Sequence, residues 1–155
     1  IVSCGIILLL QQHSNNLTNR IVKTPKLYFN DTGLACYLTG WKTKEVLENG
    51  AMNGAFLENF AIAEIRKTYL HNGKTPELYF YRDKEKKEID LIVCDNNILY
   101  PVEIKKKSNP SKDDVKNFDV IKKLNANVGE GIILCLTQND LPITDKVSSM
   151  NIMEI

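Results

Sequence analysis

Two short strand-like runs carry acids where an apolar pattern is expected. Asp90 interrupts Glu88-Ile89-Asp90-Leu91-Ile92-Val93, and Glu103 and Lys105 interrupt Val102-Glu103-Ile104-Lys105. A carboxylate inside a β-pattern costs desolvation energy unless something compensates it, and a divalent cation is one such compensation. Asp90 and Glu103, with the main-chain carbonyl of Ile104, would hold Mg²⁺ or Mn²⁺ and leave positions for water and a phosphate oxygen. The cation would lower the pKa of its water and offset charge on a phosphorane-like transition state. Lys105 would orient or deprotonate that water, its own pKa depressed by the cation. The chemistry so described is metal-assisted phosphodiester cleavage. A blander reading stands beside it: acid, apolar and basic residues alternate in any half-solvated strand, with Glu103 and Lys105 paired in water.

The acids work together only if the elements place them so. Strand side chains alternate, which puts Glu88, Asp90 and Ile92 on one face and Ile89, Leu91 and Val93 on the other. Glu103 and Lys105 share a face opposite Val102 and Ile104. Strands are expected over 77–82, 88–94 and 98–105, and the short turns 83–87 and 95–97 make them antiparallel hairpins. Before them, 52–70 reads as a helix with a broad apolar stripe from Phe56 to Tyr69, stopped by His71-Asn72-Gly73. It carries Glu58 between apolar neighbours, aimed at the metal through water, whereas Glu64 reads as a solvated acid. After the strands, Ser111 is the expected N-cap of a helix over 112–124, with Asp113 and Asp114 in its first turn. A buried strand over 131–137 and a last edge strand over 147–155 follow. At the start, a strand near 5–10, an Asn15-Asn16 turn and an extended stretch over 20–30 suggest a β-hairpin. Short helical pieces are expected near 34–38 and 46–47.

Composition bounds the rest. With 155 residues the chain is long enough for one domain with a real core. A net charge of +1 excludes a polycation and decides nothing about nucleic acid. Lysines do cluster, at 84, 86 and 87, at 105–107, and at 112, 116, 122 and 123; each run reads first as a solvated face. Cys4, Cys36, Cys94 and Cys135 lack Cys-x-x-Cys spacing and read as small core residues in a reducing cytoplasm. His13 and His71 fall in polar, turn-like stretches and form no zinc pattern. The apolar first ten residues are too short to span a bilayer and lack a basic leader. The chain begins without Met, which leads to the expectation of a piece of a longer protein.

The order helix-β-β-β-helix-β, with Glu58 on the helix, Asp90 on the second strand and Glu103-Ile104-Lys105 on the third, resembles the PD-(D/E)XK nuclease superfamily. More closely, the run Thr24-Pro25-Lys26-Leu27-Tyr28-Phe29-Asn30-Asp31-Thr32-Gly33-Leu34 is similar to the segment opening the nuclease-like part of the domain of unknown function 4143 family. So are Gly54-Ala55-Phe56-Leu57-Glu58-Asn59-Phe60, Leu78-Tyr79-Phe80-Tyr81-Arg82-Asp83 and Glu88-Ile89-Asp90. The likeness covers nearly the whole chain and departs from the superfamily name in one place, where Ile89 rather than Pro precedes Asp90.

The resemblance implies an α/β fold with a restriction-endonuclease-like core, a central mixed sheet flanked by helices, over 31–155. Residues 1–30 would be the β-hairpin remnant of a preceding winged-helix segment. It implies an AAA+ type ATPase module in cis, although this chain has no Gly-rich Lys-Ser/Thr phosphate loop. Arg82 would contact a scissile phosphate or lock Asp83 and Glu88 in place. The expectation is a Mg²⁺- or Mn²⁺-dependent nuclease acting on DNA in the cytoplasm, away from membranes. Its rivals are a catalytically silent DNA- or protein-binding module anchoring the ATPase, and a structural domain whose acids are satisfied by Arg82 and Lys105.

Overall fold

β-branched and aromatic runs punctuated by Asn, Asp and Gly dominate this chain. In the computed structural model, which describes residues 5–14, 24–124 and 126–155, they gather into one mixed sheet. β1 (Ile7–Gln12) and β2 (Lys26–Phe29) pair antiparallel, with Ile7 opposite Phe29. β1 also runs parallel to β3 (Glu77–Arg82), with Gln11 opposite Tyr79, so the hairpin is continuous with the main sheet. The expected Asn15-Asn16 turn and Cys4 lie outside the described residues.

β3, β4 (Glu88–Asp95) and β5 (Ile98–Ile104) form the antiparallel meander read from the sequence. Asn96 and Asn97 both take positive φ, 49° and 61°, the two-residue turn whose twist matches its strands. β5 then lies parallel to β7 (Gly131–Cys135), reached through a helix at Lys112–Leu124, and to the short β6 (Asn127–Val128). β9 (Val147–Asn151) runs parallel to β7 and antiparallel to β8 (Pro142–Thr144). The strand order is β2-β1-β3-β4-β5-β7-β9-β8, with β6 beside β5.

Helices cover both faces. α1 (Thr32–Leu38) starts where the Asp31 carboxylate accepts the Leu34 amide at 2.9 Å, and α2 (Lys44–Asn49) is capped by Thr43. α3 (Asn53–His71) lays Ala61 and Ile62 on Leu91, Val102, Ile104 and Leu134. Across the sheet, Val115, Phe118 and Ile121 of the 112–124 helix pack on Ile89, Ile92, Leu99 and Ile133. Sequestering these two apolar layers is what holds the sheet between them.

Four expectations need correction. The 147–155 segment is not an edge strand: β8 lies outside β9, and the chain ends in a 3₁₀ turn, Ile152–Glu154, that buries Ile152. β8 opens on Pro142, which has no amide to donate and suits an edge. The 112–124 helix is of 3₁₀ type, and Ser111 does not cap it through its side chain. Instead the Asp114 carboxylate reaches back to accept the Ser111 amide at 2.8 Å and its hydroxyl at 3.0 Å. Cys135 is buried, but Cys36 and Cys94 are only partly so. His13 is buried against the edge of the Tyr79 ring rather than set in a polar turn, because its amide continues the β1 ladder to Phe80 at 2.7 Å.

Candidate functional site

A β-bulge builds the site. Tyr79 pairs with Ile92 and Tyr81 with Ile89, so Phe80 alone faces two residues, Asp90 and Leu91. The strict alternation expected for β4 is thereby broken. Leu91 and Val93 join the α3-side core, while Ile89 and Ile92, three residues apart, join the other. Freed from the regular pleat, the Asp90 carboxylate turns toward β5, and Oδ2 accepts the amide of Ile104 at 3.0 Å.

Glu103, between the buried Val102 and Ile104, is itself only 5% exposed. Lys105 brings the two acids together: its Nζ is 2.6 Å from Glu103 Oε1 and 3.9 Å from Asp90 Oδ2. Glu103 Oε2 is buried with no close hydrogen-bond partner. Burial and the Asp90 charge push the Glu103 carboxyl up to about 7, against the opposing pull of Lys105 and of the Asp90 main-chain amide. Asp90 is also raised, by burial and the Glu58 charge, with the Ile104 amide, Lys105 and Lys26 opposing. Burial alone would lower the Lys105 ammonium, but Glu103, Asp90 and Asp114 outweigh it and hold the group above its usual range. The depression expected of Lys105 presupposes the charge of a bound cation; among its anionic neighbours alone the group is held up.

Glu58 stands on α3 with its charge felt at Asp90. Its Oε1 accepts from Lys26 Nζ at 3.0 Å and from the Tyr28 hydroxyl, both donors coming from β2. Lys26 is also ion-paired with Glu88 and lies 5.3 Å from the Phe80 ring centroid. Arg82 is mostly exposed, and its Nε meets Glu88 Oε2 at 3.2 Å, so of its two expected partners it holds Glu88. Asp83 instead accepts the amides of Glu85 and Lys87. Glu64 pairs with Lys67 along the helix, in keeping with a solvated acid.

Sequence reasoning missed Lys26, Tyr28 and Asn59. Asn59 is buried on α3 and treats β2 as a strand partner: its Oδ1 accepts the Phe29 amide at 2.7 Å, and its Nδ2 donates to the Phe29 carbonyl at 3.0 Å. That clamp sets β2 against Glu58. A polar Asn beside Glu58 in an apolar helix face was the available signal.

Among the described residues, no group of three or more His, Cys, Asp or Glu side chains is gathered closely enough to hold a metal ion by side chains alone. The donor chemistry of Asp90 and Glu103 nevertheless suits a hard divalent cation that keeps several waters, and the unpartnered Glu103 Oε2 is an acceptor such an ion would satisfy. No helix among the described residues is long and apolar enough to cross a membrane.

The family model described as Domain of unknown function (DUF4143) matches residues 53–155, and a second, Domain of unknown function (DUF8612), matches residues 1–45. Uncharacterized proteins of Mycobacterium bovis and Mycobacterium tuberculosis are each 33% identical over 96 residues, 62% of this chain. The chain spans about a fifth (21%) of the length of these curated relatives. No solved structure matches.

Proposed function

We propose, for a chain that belongs to the Domain of unknown function (DUF4143) family, a PD-(D/E)XK-type, restriction-endonuclease-like domain that cleaves DNA phosphodiester bonds with Mg²⁺ or Mn²⁺. The observation that carries the reading is the convergence of Asp90 and Glu103 on the Lys105 ammonium, with Glu103 Oε2 buried and unpartnered. Buried acids this close are costly without a cation, and with Lys105 on Oε1 the buried Oε2 of Glu103 has no hydrogen-bond partner of good geometry.

In this reading Asp90, Glu103 and the Ile104 carbonyl hold the cation, which supplies Lewis-acid stabilisation of phosphate charge and a more acidic water. Asp90 is oriented by the Ile104 amide, so its second oxygen is free to face the ion. Lys105 is charged while its neighbours are anions, and it acts as a base toward water once their charge is offset; until then it donates. Glu58 supports the site through its field, and Arg82, exposed beside Glu88, would contact the scissile phosphate in this reading. The proposal extends, by resemblance, to an AAA+ type ATPase module in cis.

A second reading is supported by the same ammonium. Lys105 already offsets both acids and, among the described residues, no third acid closes around them, which suits a catalytically silent DNA- or protein-binding module anchoring that ATPase. Calorimetric Mn²⁺ titration, followed by plasmid and single-strand cleavage, separates the two. Binding and cleavage that both vanish in Asp90→Ala support the nuclease. A wild type that binds no Mn²⁺ and leaves DNA intact supports the silent module.

A further inference from the structure

The β3–β4 turn and the 112–124 helix carry lysines that the proposed chemistry does not use, and the fold brings them to one surface. Asn117 donates its side-chain amide to the Glu88 carbonyl at 3.2 Å, and Lys123 Nζ lies 3.8 Å from Asp83 Oδ2, so helix and turn are tied at two points. Between them Lys87, Lys116 and Lys123 line one open depression of about 370 Å³, together with Asn117, Asp119 and Val120. The acids nearby are already engaged. Asp119 meets Lys122 at 2.6 Å, Glu85 meets Lys87 at 3.0 Å, and Asp83 Oδ1 accepts the amides of Glu85 and Lys87. Lys86 and Lys116 are exposed and, among the described residues, have no carboxylate within ion-pair distance. Lys86 is moreover held at φ 63°, a left-handed conformation that glycine adopts at less cost.

We propose that this surface is a track for the phosphate backbone of duplex DNA, held by Lys86, Lys87, Lys116 and Lys123. Ammonium groups on flexible stems are point charges that displace condensed counter-ions from phosphates and read no base sequence. An exposed pair such as Lys87–Glu85 is worth little in water, so a phosphate takes over the ammonium at small cost. The positive charge is local, because the whole chain carries only +1. The track is also continuous with the candidate site. Arg82 ends β3 at the same turn, and Glu88, whose carbonyl Asn117 holds, stands two residues before Asp90. A strand lying along the helix and the turn is thereby led toward the acids. The choice of DNA rests on the cleavage reading, whereas the binding itself needs no metal.

The test measures binding of a short fluorescein-labelled DNA duplex by anisotropy on the intact chain, with EDTA present and salt varied. Wild type is compared with Lys86→Gln/Lys87→Gln/Lys116→Gln and with Lys42→Gln/Lys67→Gln/Lys74→Gln, whose lysines are carried by α3 and the loops beside it. Both variants lose the same number of charges, and thermal melts establish that both fold. Each lost phosphate contact lowers the log–log salt slope by about 0.9, so the first variant should be shallower than wild type by roughly 2–3 and bind roughly tenfold or more weakly at low salt. The α3-side variant should keep most of the wild-type affinity. Equal losses in the two variants overturn the inference, since net charge alone would then explain them. Unchanged binding in the first variant overturns it too, as does a wild type that binds no duplex. If the first variant does not fold, Lys86→Gly with Lys116→Gln, which breaks no ion pair among the described residues, is judged by the same comparison. Cleavage of the same duplex with Mn²⁺ is run in parallel. A wild type that binds as expected without cleaving removes the nuclease reading and leaves the track. A wild type that cleaves, beside a first variant that binds unchanged, removes the track and leaves the nuclease.

Discussion

The Asp90 carboxylate accepts the amide of Ile104 at 3.0 Å, so a side chain closes the β4–β5 ladder beyond the Leu91–Val102 pair. One oxygen of Asp90 is thus structural, and in the proposed reading the other faces the ion. The two roles separate by substitution. Asp90→Asn keeps an acceptor for Ile104 and should cost little stability, while Asp90→Ala leaves that amide unpaired and should cost about 1–3 kcal/mol. Both should lose Mn²⁺ binding and cleavage in the proposed reading. Chemical denaturation beside a cleavage assay checks the pair; a fully active Asp90→Asn would refute the ligand role.

Glu103 predicts a pH dependence with a definite sign. Its carboxyl rises from the ordinary 4.5 to about 7 on folding, so the folded protein favours the protonated form. That contribution to stability is complete below about pH 4.5 and is lost as pH rises through about 7, on the order of 3 kcal/mol in total. Glu103→Gln should flatten the fall in melting temperature between pH 5 and pH 8. Mn²⁺ at pH 8 should raise the melting temperature of wild type and leave Glu103→Gln unchanged. Parallel pH profiles for the two proteins would remove Glu103 as the cause.

Asn59 holds β2 through two hydrogen bonds to Phe29 and a third, at 2.9 Å, to Thr32 Oγ1. Asn59→Ala leaves the half-buried amide and carbonyl of Phe29 without this partner, so a loss of about 1–3 kcal/mol is expected. The loss should concentrate at the hairpin, with amide exchange in 26–29 accelerating more than in 98–104. Uniform acceleration across the sheet would show that β2 is not separately clamped.

The meander, α3 and the helix over 112–124 were legible because each has a local cause: charged and Asn-Asn turns each opened by an Asp, an apolar stripe, and acids in a first turn. So was the proximity of Asp90 to Glu103, which follows from hairpin pairing. The bulge opposite Phe80 was not legible. Nothing in Glu88-Ile89-Asp90-Leu91-Ile92-Val93 marks it, because its cause is the competition of two cores for Leu91 and Ile92. Lys26 and Tyr28 were hidden for a different reason: they reach Glu58 across 30 residues or more, through a β2–α3 contact that no periodicity encodes.

Lys86 stands in the left-handed region, φ 63°, in the turn between β3 and β4, with an exposed side chain. A residue with a Cβ pays about 1 kcal/mol there, which glycine avoids. The Asp83 carboxylate already organises the turn through the Glu85 and Lys87 amides, each at 2.9 Å, so the loop stays fixed without Lys86. Lys86→Gly should therefore raise the melting temperature by a few degrees and leave Mn²⁺ binding as in wild type. A lower melting temperature would mean that the added freedom of the unfolded chain outweighs the relief.

Lys105 distinguishes a group that acts on water from one that only balances charge. Its ammonium offsets Glu103 and Asp90, so Lys105→Met should leave the acids more repulsive and destabilise the protein most above pH 7, where Glu103 is ionised. The same loss of positive charge should preserve or tighten Mn²⁺ binding, since the ion is then the remaining counter-charge. Cleavage should nonetheless fall by roughly 10²–10⁴, the span that removal of a proton-transfer group produces. Lys105→Arg restores the charge but, with a guanidinium that does not deprotonate, should recover stability without recovering cleavage. Were Lys105→Arg to cleave as wild type does, Lys105 would be a counter-ion alone, and the proton from the attacking water would have to leave by another route.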